Sequence, residues 1–108
     1  MAAHTGVLSV IGDTTIPIDK IILNPNDGYD LGLLSDTISV KAHGVAYGPD
    51  GKERRGYLLD VKLVQENDCR IGTILMGMKL VQQLGKPKNI QLHLENVKMV
   101  IAKVEVEQ

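Results

Sequence analysis

The amino-acid sequence predicts an α+β domain: a mostly antiparallel β-sheet or small open barrel of five to six strands, with one α-helix at about residues 70–84 before the last two strands. Three observations lead there. Val and Ile together outnumber Leu, and neither Trp nor Phe occurs, so the interior must be aliphatic and rich in residues that favour pleated surfaces. Apolar and polar residues alternate over several short runs, the period of a half-buried strand. Turn-forming residues separate those runs closely enough to join antiparallel neighbours.

Val7–Ile11 and Thr14–Ile18 flank Gly12-Asp13, a two-residue hairpin signal. Pro17 lacks a backbone donor, which puts the second run on a sheet edge or at a bulge. Ile21-Ile22-Leu23 is stopped by Asn24-Pro25-Asn26-Asp27-Gly28, the densest turn signal in the chain. Leu31, Leu33 and Leu34 then tuck the segment Tyr29–Asp36 against the core.

Thr37–Tyr47 alternates Ile38, Val40 and Ala42 against Ser39, Lys41 and His43, and changes phase at Gly44, as a β-bulge does. Tyr57–Glu66 alternates Leu59, Val61 and Leu63 against Asp60 and Lys62, with Leu58 and Val64 as surplus apolar residues on the outer face. Gly48-Pro49-Asp50-Gly51 between them suits a type I turn followed by a left-handed glycine. Thr37–Glu66 is therefore read as one long hairpin with a charged tip.

Ile71, Ile74, Leu75, Met78, Val81 and Leu84 recur at three- and four-residue spacing, which predicts a helix over Ile71–Leu84. Asn67 or Asp68 would cap its start, while Gly85 and Pro87 end it. Ile90–Glu95 alternates cleanly, with Ile90, Leu92 and Leu94 inward. In Val97–Glu107 both faces are apolar: Val97, Met99 and Ile101 on one, Val100, Ala102, Val104 and Val106 on the other.

The chain's 108 residues make one domain, with 44% hydrophobic and 23% charged residues, the balance of a globular protein. The net charge of −1 excludes polyanion binding driven by bulk charge, though not by a local patch. That charge is uneven along the chain: residues 1–40 sum to −4, residues 41–88 to +4 and residues 89–108 to −1. Met1–Gly12 carries neither the charged nor the apolar region of an export signal, and no apolar run spans a bilayer, so the expectation is a cytoplasmic protein without membrane contact.

Gly72-Thr73-Ile74-Leu75-Met76-Gly77 opens like a phosphate loop, but Met78 and Lys79 follow where Lys and Ser or Thr are needed, so it reads as buried helix. The Asn24–Asp30 turn has calcium-loop composition without its ligand spacing, and reads as side chains bonding their own backbone. Cys69, the single cysteine, forms no internal disulfide or paired metal site; a helix start and Arg70 can lower a thiol pKa, but Cys69 reads rather as a small residue in the first turn. No cofactor and no metal are therefore expected.

Three functional classes remain. The first is a small non-catalytic binding or interaction module, forming a homo-oligomer or meeting another protein. Its interface would use the surplus apolar residues Met76 and Leu80 of the helix with Val104 and Val106 of the last strand, because one helix cannot cover both faces of a sheet. The second is an OB-like nucleic-acid binder using the basic hairpin tip, with Lys52, Arg54 and Arg55 on phosphates, Tyr47 and Tyr57 stacking on bases, and Lys79, Lys86 and Lys88 extending the patch. The third is a small enzyme in which His43 or His93 meets a carboxylate, Asp60 or Glu95. The interaction module is the preferred reading.

Overall fold

The computed structural model describes residues 3–104. The strands are β1 (Ala3–His4), β2 (Leu8–Asp13), β3 (Lys20–Leu23), β4 (Thr37–Tyr47), β5 (Glu53–Gln65), β6 (Thr73–Gly77), β7 (Asn89–Glu95) and β8 (Lys98–Lys103). Two short helices, α1 (Pro25–Asp30) and α2 (Met78–Gln83), interrupt them. Their pairing closes a ring in the order β7, β2, β6, β3, β5, β4, β8 and back to β7, with β1 added along β7. The expected open or antiparallel array of five to six strands is thus corrected to a closed, mixed barrel of seven. Three of its seams are parallel: β2 with β6, β3 with β5 and β4 with β8. An OB-like barrel has five strands, so that architecture is not the one adopted.

The long hairpin forms as its alternation requires, with Val40 and Ala42 opposite Val61 and Leu59. The register shift falls between Ala42 and His43, one position before the glycine that signals it. Opposite them, His43 faces Tyr57 and Ala42 faces Leu59, so Leu58 is the extra residue and packs on the core rather than the outer face. β7 also forms as read, burying Ile90, Leu92 and Leu94.

Gly12-Asp13 makes no hairpin. β2 runs through it and finds its partners in β6 and β7, while residues 14–19 form turns. Asp13 instead accepts the Thr15 backbone N–H at 2.7 Å and the Thr15 hydroxyl at 2.6 Å, and these bonds lower its carboxyl pKa. Pro17 lies in this turn, outside any strand. The Asn24 turn goes on into α1: its side chain accepts the Asn26 N–H and donates to the Cys69 carbonyl, while Asp27 accepts the Gly72 N–H at 2.9 Å.

The single helix expected over residues 70–84 is instead a turn, a strand and a shorter helix. Residues 67–72 turn, Thr73–Gly77 is β6, and only Met78–Gln83 is helical. Ile74 and Met76 point into the barrel and are fully buried. Apolar residues at 74, 75, 78 and 81 satisfy a helical period, but a strand enclosed between β2 and β3 and followed by a six-residue helix satisfies it too. Gly72 and Gly77, poor helix residues, mark the strand's two ends. A β-carbon on Gly77 would lie 2.5 Å from the Ile16 carbonyl oxygen, so the chain can pass there only without a side chain. Gly85 does end α2, with φ 81 followed by Lys86 at φ 54.

The core fills the barrel with Leu8, Ile21, Leu23, Leu63, Ile74, Met76, Leu80, Ile90, Leu92 and Met99. Each such side chain contributes about 1.5–3 kcal/mol relative to exposure. Met76 and Leu80, expected at a subunit interface, are 0% exposed inside this core and offer no surface to a second copy. Ile71, expected in the core, is 61% exposed, and Leu34 is fully exposed rather than tucked in. Val104 is half-buried and donates its backbone N–H to Asn89; Val106 lies outside the described residues.

Candidate functional site

Strand direction decides which loops share an end of the barrel. β2, β4, β6 and β8 run one way, and β3, β5 and β7 run the other. One end therefore gathers the tip of the β4–β5 hairpin, α2, the loop after it and the last residue of β8. Among the described residues this end carries Lys20, Lys52, Arg54, Arg55, Lys79, Lys86, Lys88 and Lys103, against Asp13, Asp19, Asp50 and Glu53. The opposite end gathers α1 and the loops at residues 31–36, 66–72 and 96–97. Among the described residues it carries Asp30, Asp36, Glu66, Asp68 and Glu95, all exposed, with Arg70, Lys98 and, in register with Lys98, Lys41 as cations. The uneven charge along the sequence has become a separation of charge along the barrel.

At the basic end the hairpin rises past the barrel as a two-stranded arm and folds over α2. Beneath one side of it lies a groove of about 550 Å³ lined by Tyr47, Arg54, Tyr57, Lys79, Gln82 and Gln83, among others. Three of the five expected nucleic-acid contacts, Tyr47, Arg54 and Tyr57, are brought together here, and Lys79 joins them. Lys52 does not line the groove, and Arg55 pairs with Glu53 at 3.4 Å on the exposed arm. That ion pair is solvent-exposed and contributes little. On the other side of Tyr47 lies a more apolar cleft of about 380 Å³, walled by Val45, Leu84, Pro87, Val100 and Ala102 and edged by Glu53 and Lys103. Lys103 Nζ stands 5.7 Å from the centre of the Tyr47 ring. Val100 and Ala102, surplus in the sequence, thus form part of a cleft wall.

The acidic end is studded with apolar side chains. Leu34 is 100% exposed, Tyr29 81%, Ile71 61% and Val97 56%. All four come from the loops and helix that close this end. Each of them is read from the sequence as inward or left without a role, because the buried face of a loop has no period to read.

The histidines fall in a transverse row on the outer wall. His43 faces Val100, Val100 faces His93 and His93 faces His4, one strand apart at each step. His4 and His93 rings are 5.7 Å apart, and His43 lies 5.6 Å from the Tyr57 ring. The expected His–carboxylate pairing does not form: among the described residues the only ion pair is Arg55 with Glu53. Asp60 acts instead on Tyr57, whose phenol it holds above the ordinary range, by hydrogen bonding first and by charge last, with slight desolvation between. No group of three His, Cys, Asp or Glu side chains among the described residues is placed to hold a metal ion.

Cys69 lies in the turn before β6, not at a helix start, and is 3% exposed. Burial raises its thiol pKa, and Asp27 and Glu66 push the same way, the opposite of the lowering that a helix start beside Arg70 can give. No helix among the described residues is long and apolar enough to cross a membrane. No known protein family, curated protein or solved structure matches this chain.

Proposed function

We propose that this protein is a non-catalytic interaction module that assembles with further copies of itself. The observation that carries this reading is the separation of charge along the barrel, which gives one molecule two faces of opposite sign. A reduced, buried thiol at Cys69 suits work in the cytoplasm. Sedimentation velocity from low to high micromolar concentration tests the reading. Association that grows with concentration is expected, and a chain that stays monomeric throughout overturns it.

A second reading rests on the groove at Tyr47, Arg54, Tyr57 and Lys79, where two rings and two cations face one channel. That combination fits a short single-stranded nucleic acid, with phosphates on the cations and bases on the rings. The slightly negative net charge weighs against it, because non-specific affinity grows with the number of phosphates neutralised.

A further inference from the structure

We infer that copies of this chain associate head to tail, the acidic end of one barrel seating on the basic end of the next. The inference rests on the self-association proposed above and adds its geometry. Two properties of the ends complement one another. Asp30, Asp36 and Glu95 at one end would face Arg54, Lys79 and Lys103 at the other. The acidic end also presents exposed apolar knobs, above all Leu34 and Ile71, whereas the basic end presents the apolar cleft between the arm and β8. Knobs and cleft are on opposite ends of the same molecule, so one copy cannot satisfy itself.

Charge also disfavours the alternative geometry. A twofold contact through either end would set an acidic end against an acidic end, or a basic end against a basic end. A contact that joins unlike ends is heterologous. It closes into a ring where the rotation per step allows and otherwise runs on as a filament.

Two variants test this, each altering exposed positions on one end only. Leu34→Glu with Ile71→Glu places charge on the knobs. Arg54→Glu with Lys103→Glu reverses the socket. The reversed socket loses its net positive charge and gains two carboxylates, so it no longer attracts the altered acidic end. Each variant alone should sediment as a monomer with unchanged circular dichroism. Mixed in equal amounts they retain one good end each, and should form a dimer that grows no further. A wild type that never associates overturns the self-association itself. A wild type that associates, combined with a mixture that stays monomeric or a single variant that still assembles, overturns the head-to-tail geometry alone. Wild-type assembly should also weaken at least tenfold between low and molar salt; assembly indifferent to salt counts against the charged contact.

Discussion

The ring of Tyr47 stands against Gly85: a β-carbon at position 85 would come within 2.7 Å of Tyr47 Cε2. Through this approach the tip of the hairpin arm is fastened to the turn that ends α2. Gly85 also has φ 81, a conformation that side chains rarely adopt. Gly85→Ala should therefore cost about 1–3 kcal/mol in urea melts. In a Tyr47→Ala background the steric part disappears and only the backbone part remains, so the cost should shrink. An equal cost in both backgrounds would show that the ring does not rest there in solution.

Helix α2 is held by Val81, whose Cγ2 would lie 3.3 Å from a β-carbon on Gly12 of β2. Val81 is 8% exposed, whereas its neighbour Gln82 faces solvent. Val81→Asp should lose several kcal/mol, because it buries a charge without a partner. Gln82→Asp should melt within about 0.5 kcal/mol of wild type. Similar melting of the two variants would contradict the assigned face.

Burial, with Asp27 and Glu66 adding to it, makes the folded chain hold the Cys69 thiol proton more tightly than the unfolded chain does. The neutral thiol's stabilisation is complete below the unfolded value, about 8.5, and declines as the pH rises through and above it. Stability measured from about pH 7 to pH 10 should fall more steeply for wild type than for Cys69→Ala. The same thiol should react with a disulfide reagent only on unfolding. Rapid labelling of the native chain would contradict its burial.

For the groove beneath the arm, Arg54→Ala should weaken any oligonucleotide binding and flatten its salt slope by about one unit. Arg55→Ala should leave both unchanged, since Arg55 is turned away toward Glu53. Fluorescence anisotropy with a short labelled single strand, repeated over a salt series, separates the two. Equal effects would mean that the groove is not the binding surface.

What could be read from the residues was what is local. Thr37–Glu66 was legible because its alternation and its Pro-Asp-Gly tip lie within one hairpin, and Ile90–Glu95 because its inward side is unbroken. The stretch 71–84 was not, since a strand enclosed on both sides loses its period of two and imitates a helix. Gly12-Asp13 has the chemistry of a tight turn, yet pairing with Met76 and Gly77 of β6 prevailed over it. Tyr47, Arg54 and Tyr57 were found from composition near one turn. The two charged ends were not, because only strand direction shows that Asp30, Glu66 and Glu95 share one end.

Barrel closure sets an order of events during synthesis. β2 is made early, yet its neighbours β6 and β7 both come from the later part of the chain. Pairings so far apart in sequence form slowly, because a long loop must be ordered before any contact repays it. The β4–β5 hairpin, whose partners are adjacent, is where order should begin. A nascent chain halted before Asn89 leaves β2 with one edge bare, and a bare edge is what recruits a wrong strand.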